Sequence, residues 1–155
     1  MKVRSVTCNN RSKSFEIKTA RRQFSFPYAK ADPPPTKDDP IVKVFVDPEV
    51  GREGFTYVLA SGRDGVVLMD YVLEYNQDPA YMRDMLLHNL TATALEHLEA
   101  TRLSKREIIR RLRTSPAQLY RMLDTTNYRK SVDQMLRLLY VLDCDVDFVV
   151  RDRSA

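Results

Sequence analysis

The chain has 155 residues, of which 43% are hydrophobic and 30% are charged, with a net charge of +4 at pH 7. This balance is typical of a folded globular protein and argues against a disordered chain. No apolar run approaches the roughly 18 residues of a membrane-spanning helix. Residues 1–5 also lack the apolar core of a secretion signal. We therefore expect a cytoplasmic protein with no membrane partner.

The sequence contains no recognisable catalytic or metal-binding motif. With only four glycines, it offers no phosphate-cradling loop, and no Ser or Cys lies in a nucleophile motif. His88 and His97 are nine residues apart, a spacing that does not place both on one helical face. Cys8 and Cys144 form no CxxC pair, so we interpret them as reduced thiols, with a bond between them as the alternative. We expect no cofactor, no metal and no enzymatic activity.

Near the end of the chain, three acidic residues have the spacing of a calcium-binding loop, but a residue that such a loop requires is missing. Asp143, Asp145 and Asp147 have the spacing that opens a calcium-binding loop. Phe148, however, stands where that loop requires glycine for its sharp turn. We therefore interpret the acidic residues as the polar face of a strand, as described below.

Residues 1–75 have the alternation of β-structure. Apolar residues recur at every second position around Phe15, Phe24, Val44 and Tyr57, which is typical of half-buried strands. The proline-rich stretch 32–40 cannot lie inside a sheet, because prolines lack the ladder donor. The sequence therefore predicts one small, mostly antiparallel sheet, including a strand at the apolar run 66–69, in a β-domain over residues 1–77 with an insertion at 32–40.

Helical spacing replaces this alternation at Asp78, a good helix N-cap, and Pro79, a good first helical residue. Apolar residues then keep three-and-four spacing to Leu98, which predicts one long helix or two with a joint near residues 89–91. Towards the end of the chain the period changes again to alternation, and residues 145–151 are predicted to form a β-strand with one polar face.

Two short helices between residues 104 and 124 are the most informative part of the chain. Ser104 and Ser115 each precede a helical pattern and have Glu107 or Gln118 three residues later, the spacing of a capping box. A third capping box is predicted at Ser131. Helices of about two turns are unstable alone in water, so this pair must pack on a neighbour. A short helix, a tight turn and a second short helix is the geometry that presents a helix to a DNA groove.

Positive charge is concentrated on the same stretch. Residues 101–137 hold 10 Lys or Arg and 3 Asp or Glu, a net charge of +7, whereas residues 1–78 hold 12 and 11. A basic block confined to a helix pair is the footprint expected for a polyanionic partner. The alternative is that these side chains only solvate helix surfaces.

Residues 86–142 resemble the Cro/CI-type, lambda-repressor-like (Xre-like) helix-turn-helix domain of bacterial and phage regulators. The resemblance rests on segments 103–107, 111–115 and 131–138, which are similar to the family's LSQRE, RLGTS and SLxTLLRL. Two positions depart from the family pattern: Ile109 stands where Ala is usual, and Arg113 where Gly is usual. Residues 1–6, 44–47 and 71–75 resemble, more weakly, a small bacterial β-domain of unknown function.

The resemblance implies an α+β fold: the small β-domain, residues 1–77, followed by an all-α lambda-repressor-like domain, residues 78–155, that ends in the strand 145–151. It implies a sequence-specific transcriptional regulator, such as an antitoxin-like autorepressor, whose helix 116–124 reads the major groove of double-stranded DNA. A homodimer is expected if the terminal strand pairs with its symmetry mate. A monomer is expected if that strand joins the amino-terminal sheet.

The residues expected to read bases are Ala117, Gln118 and Arg121. Gln matches the edge of adenine, Arg that of guanine, and Ala117 can contact a thymine methyl. The residues expected to contact the DNA backbone are Ser104, Lys105, Arg106, Arg110, Ser115, Tyr120, Asn127, Arg129 and Lys130.

Each of these roles has a structural alternative. Gln118 would cap the helix by binding the Ser115 backbone, and Arg121 would pair with Asp124 or Glu107. Tyr120 would be a packing residue, and Asn127 a simple turn former.

The alternative function is a non-enzymatic protein-interaction or dimerisation module with a degenerate helix-turn-helix, because some divergent members of the family have lost DNA binding. A toxin-like protein is the partner considered for the β-domain. RNA binding is less favoured, since the basic helices carry no paired aromatic platform for unstacked bases.

Overall fold

The computed structural model describes residues 1–153, which divide into two compact units, Met1–Met82 and the residues from Arg83 onward. Within residues 1–153, every helix is too short or too polar to span a lipid bilayer.

Six strands precede five α-helices. The strands are β1 (Val3–Asn9), β2 (Ser14–Thr19), β3 (Gln23–Pro27), β4 (Ile41–Val46), β5 (Gly54–Leu59) and β6 (Asp64–Leu68), with a 3-10 turn at Tyr28–Lys30. The helices are α1 (Met69–Tyr75), α2 (Pro79–Ala100), α3 (Lys105–Leu112), α4 (Pro116–Leu123) and α5 (Val132–Val141).

The strands of the first unit form two antiparallel sheets, β1-β2-β3 and β4-β5-β6. The alternating apolar residues of the strands supply the core between them, as period-two burial requires. Phe15 of β2 is fully buried, and its ring lies 4.9 Å from that of Phe55 and 5.2 Å from that of Tyr57, both on β5. Strand β1 lies beside β4, so β3 and β6 are the outermost strands, and α1 packs against both of them.

The single sheet predicted over residues 1–75 is therefore wrong in two respects. The strands form two sheets, and residues 69–75 form a helix. Met69, Val72 and Leu73 are buried, and their spacing of three and four residues places them on one helical face. The apolar run 66–69, which suggested a strand, spans the end of β6 and the start of this helix.

The proline-rich stretch 32–40 lies outside both sheets, as predicted. Its two ends are bound to the second sheet. The Tyr57 hydroxyl donates to the carbonyl of Pro33 at 2.6 Å, and the Asp39 carboxylate accepts from Ser61 Oγ at 2.7 Å and from Arg63 at 3.0 Å. These hydrogen bonds fix both ends of the loop, one of them at the hydroxyl of Tyr57.

Helix α2 is one continuous helix, which decides between the one-helix and two-helix interpretations. Asp78 caps it as predicted, with its carboxylate accepting from the N–H of Tyr81 at 3.1 Å, and Arg22 forms an ion pair with the same carboxylate. From Arg83 onward, the second unit has a core in which Leu87 of α2, Ile108 of α3 and Leu119 of α4 are buried with residues of α5.

The predicted fold class is wrong in its division of the chain. The protein is of mixed α and β class, with two three-stranded sheets followed by five helices. The helices are not confined to a separate carboxy-terminal all-α domain, because α1 belongs to the first unit and α2 begins in it.

The predicted strand 145–151 is also not formed. Val146 packs against the helical core, while Val149 and Val150 are 72% and 95% exposed. Alternation alone cannot make a strand, since strand backbone needs a hydrogen-bonded neighbour, and none of residues 1–153 supplies one here.

Replacing Gly65 of β6 by Ala should destabilise the first unit. A Cβ there would lie 2.6 Å from the Asp32 carbonyl oxygen and would also meet the Tyr57 hydroxyl. Because neither neighbour is free to move, we expect the free energy of unfolding to fall by about 1–3 kcal/mol, as in other overpacked sites. Urea denaturation measures this, with exposed Val66→Ala as the control, expected within about 0.5 kcal/mol of the parent. Equal effects of the two variants would contradict the packing described here.

Candidate nucleic-acid interface

Helix α3 begins and ends where local chemistry dictates. The Ser104 hydroxyl accepts from the N–H of Glu107 at 3.1 Å, which satisfies one of the unpaired donors of the first turn. At the other end Arg113 has a left-handed backbone with φ of 52°, and the N–H of Thr114 donates to the Ile109 carbonyl at 3.1 Å. This closing turn redirects the chain into α4.

Helix α4 is capped in the same way. The Ser115 hydroxyl accepts from the N–H of Gln118 at 3.2 Å, and Pro116 occupies the first helical position, where its missing N–H costs nothing.

The return half of the predicted capping boxes forms at only one of the three sites. Ser131 and Gln134 make the complete reciprocal box, which confirms the prediction for α5. At Ser104 the expected partner Glu107 binds arginines instead. At Ser115 the Gln118 side chain makes no hydrogen bond to any of residues 1–153, so its amide is available to a ligand.

Helix α4 has one buried and one exposed face. Leu119 and Met122 are buried in the core of the second unit. The exposed face carries every residue that sequence predicted to lie outward: Ser115, Ala117, Gln118, Tyr120 and Arg121. Within the described chain, Arg121 forms no ion pair with Asp124, Glu107 or any other carboxylate, so both longer base-reading candidates keep their polar groups exposed.

The predicted backbone-contacting residues divide into exposed and engaged side chains. Ser104, Lys105, Arg106 and Arg129 are exposed. The Lys105 ammonium lies 5.4 Å from the centre of the Tyr120 ring, a cation–π contact that places both residues together beside α4. Arg110 is exposed but ion-paired, since its Nε donates to Glu107 at 2.9 Å.

Glu107 is shared by two arginines. Hydrogen bonds from Arg110 and Arg111 lower its pKa to about 2, although the carboxylate is at the surface. The same contacts raise the pKa of Arg110. The single charge of this carboxylate therefore offsets one of the two positive charges of Arg110 and Arg111.

The prediction that Lys130 contacts the DNA backbone does not agree with its position in the structure. It is only 7% exposed, and its ammonium donates to the carbonyls of Met122 at 2.9 Å and Asp124 at 2.8 Å. Burial lowers its pKa, partly opposed by the Asp124 carboxylate. Two of the three N–H donors of Lys130 therefore cap the carboxyl end of α4, and its side chain is buried and not presented to a DNA phosphate. Sequence reasoning missed this role because a lysine in a loop has no local signal of burial.

Asn127 is a structural residue of the same kind. Its side-chain amide donates to the carbonyl of Arg121 at 3.0 Å, and its carbonyl oxygen accepts from the N–H of Arg129 at 3.1 Å. The Asp124 carboxylate accepts from both the N–H and the hydroxyl of Thr126, which lowers its pKa. The loop after α4 is thus bound to the end of the helix that it follows.

A polar groove of about 650 Å³ runs beside the exposed face of α4. Gln118 and Arg121 line it from α4, and Arg129 and Gln134 line it from the opposite side. Arginine and amide groups converge there, together with the Asp124 carboxylate, on a space large enough for a phosphate or a base edge. The groove joins two predicted base-reading residues to Arg129, one of the predicted backbone contacts that stay exposed.

The two departures from the family pattern fit the helix pair without disrupting it. Arg113 adopts the left-handed conformation usually taken by glycine, at a cost of ~1 kcal/mol. Ile109 is half-buried and packs against the core of the second unit.

Lys130→Met should destabilise the second unit. Methionine keeps the buried stem but removes both hydrogen bonds of the ammonium and leaves the Met122 carbonyl without its donor, so we expect the free energy of unfolding to fall by about 1–3 kcal/mol. Urea denaturation monitored by circular dichroism measures the change. Lys37→Met, the same substitution at an exposed lysine, should have little effect. If the two variants were equally stable, the capping role would be wrong.

Glu107→Gln should alter the acid dependence of stability. Folding lowers the pKa of Glu107 from 4.5 to about 2. The stabilisation by its carboxylate is therefore complete above about pH 4.5 and is lost as the pH falls through about 2. The parent should therefore exceed the variant in stability at pH 7, and the difference should vanish near pH 2. Urea denaturation at a series of pH values tests this, with exposed Glu49→Gln as the control. A pH-independent difference would contradict it.

Compared with protein-family models, curated proteins and solved structures, the chain matches none.

Proposed function

We propose that residues 104–129 form a sequence-specific DNA-binding surface and that the protein is a transcriptional regulator. Helix α4 would enter the major groove, with Ala117, Gln118 and Arg121 against base edges. Ser104, Lys105, Arg106 and Arg129 would contact the phosphate backbone. The resemblance of the helix pair to Cro/CI-type units agrees with this proposal.

The observation that carries the proposal is the exposed face of α4. Gln118 and Arg121 lie three residues apart on one stripe, and neither side chain is bound to another of residues 1–153. Long polar side chains without partners, on a helix whose opposite face is buried, are free to make the paired hydrogen bonds that distinguish adenine and guanine.

The unpaired cations support the same face. Among the described residues, Lys105, Arg106 and Arg129 are exposed and form no ion pair. Neutralising phosphates with such cations releases counterions, so binding must weaken as salt rises. Arg110 contributes less, because Glu107 already binds it. Lys130 is left out of the proposal for the reason given above.

The competing function is a protein-interaction module. Its support is the pair of residues unusual for the family, Ile109 and Arg113. A homodimer stays a prediction under either function; on DNA it would place two α4 helices one turn apart, ~34 Å. A stable protein partner, together with duplex binding no stronger than that of a charge-matched control, would select the competing function.

Arg121→Ala should reduce both affinity and specificity. Selection of bound duplexes from a random library first supplies the preferred site. Fluorescence anisotropy at ~50 mM and ~200 mM salt then measures affinity for that site and for random duplex, where salt should weaken both. Losing one bidentate base contact, worth ~1–3 kcal/mol, should weaken the preferred site by about 5- to 150-fold and random duplex far less.

Two matched variants separate base reading from charge. Arg129→Ala should weaken preferred and random duplexes alike and reduce the salt slope, since it removes a phosphate contact. Arg11→Ala removes the same charge from an exposed turn of the first unit and should change neither. Undetectable binding to any duplex at ~50 mM salt, or equal effects of all three variants, would refute the proposal.

A further inference from the structure

We propose that the first unit binds an extended peptide with alternating basic and apolar residues along the open edge of β6. The peptide would add a strand to the sheet β4-β5-β6 and place its side chains in the groove between β6 and α1. This surface is independent of the helix pair.

The free edge of β6 follows from its hydrogen-bond pattern. The carbonyl of Arg63 accepts from Leu59, and the N–H of Met69 donates to Glu53, so the odd-numbered residues direct their backbone groups towards β5. In an antiparallel pair alternate residues point to opposite sides. Val66, in the middle of the strand, therefore presents its N–H and C=O away from the sheet, and no backbone group among residues 1–153 meets them.

The other outermost strand is protected, which makes the open edge of β6 notable. The side-chain amide of Asn76 donates to the carbonyl of Ser25 on β3 at 3.0 Å, and Pro27 at the end of β3 has no N–H to offer. Proteins commonly cover or block sheet edges, because an unpaired edge is a template for another strand. Among residues 1–153, no side chain binds the outward backbone groups of Val66 on β6 in this way.

A groove of about 630 Å³ adjoins this edge. Phe26 and Val67 are buried at its base, and the rings of Tyr71 and Tyr75, 56% and 48% exposed, stand along α1. The Tyr75 ring packs edge-on against the Phe26 ring, with 5.8 Å between the ring centres, and this contact fixes the Tyr75 side of the groove. Every second side chain of an added strand would face this aromatic surface.

The charges around the groove select a basic partner. Asp32 and Glu74 line it, and Asp64 opens β6; all three are exposed, and none forms an ion pair within the described chain. The one cation in the lining is Lys30. Lysine or arginine side chains of a peptide could meet these carboxylates and lie over the faces of Tyr71 and Tyr75. Main-chain bonds to the edge would give affinity, and the groove would give specificity.

The test uses the full chain and a phage-displayed library of random seven-residue peptides. We expect enrichment of peptides that alternate Lys or Arg with apolar residues. The best peptide, labelled for fluorescence anisotropy, should lose affinity about tenfold when N-methylated at the residue facing Val66, because the N–H donor to the Val66 carbonyl is removed and the methyl group obstructs the edge, without altering the protein. NMR shift changes should centre on β6 and α1.

Glu74→Lys should weaken the same peptide about fivefold, and less at high salt, because one favourable contact becomes a repulsive one. Glu49→Lys, an exposed substitution away from the groove, is the matched control. No enriched sequence, an acidic consensus, indifference to N-methylation or shift changes elsewhere would each overturn the proposal. Self-association that blocks β6, seen by analytical ultracentrifugation, would also overturn it and would assign the edge to a second copy.

Discussion

The candidate DNA-binding surface depends on how both ends of α4 are satisfied. An eight-residue helix has nearly as many unpaired backbone groups as paired ones, and it is too short to persist in water on its own. Ser115 satisfies a donor at the start, while the side chains of Asn127 and Lys130 satisfy carbonyls at the end. With Leu119 and Met122 buried, these contacts hold α4 so that its outer face is rigid enough to recognise a ligand.

Contacts within the second unit also reduce the charge available to a polyanion. The Lys130 ammonium is buried and donates to backbone carbonyls, and Arg110 and Arg111 share the carboxylate of Glu107. The net charge of +7 counted from sequence already subtracts Glu107, so it is the burial of Lys130 that makes the cationic surface smaller than that count. The cations that stay exposed and unpaired within residues 1–153 include Lys105, Arg106, Arg121 and Arg129. If the protein binds DNA, its electrostatic contribution is concentrated on α4 and its immediate neighbours, and base contacts matter correspondingly more.

The two proposed surfaces are chemically opposite. The groove beside β6 carries exposed carboxylates and tyrosines, whereas the groove beside α4 carries arginines and amides. If both proposals hold, one unit binds DNA and the other binds a peptide. That combination reconciles the regulator with the protein-interaction module, since each function would belong to a different unit.

The sequence by itself predicted those features that depend only on residues close together along the chain. The Ser caps at 104, 115 and 131, the cap at Asp78, and the outward face of α4 all follow from spacings of two to four residues. The pairing of strands into two sheets, the helical state of residues 69–75, the failure of residues 145–151 to form a strand and the burial of Lys130 were decided by the tertiary structure. The physical reason is the same in each case: these outcomes depend on hydrogen-bond partners and apolar neighbours that residues distant in sequence supply or withhold.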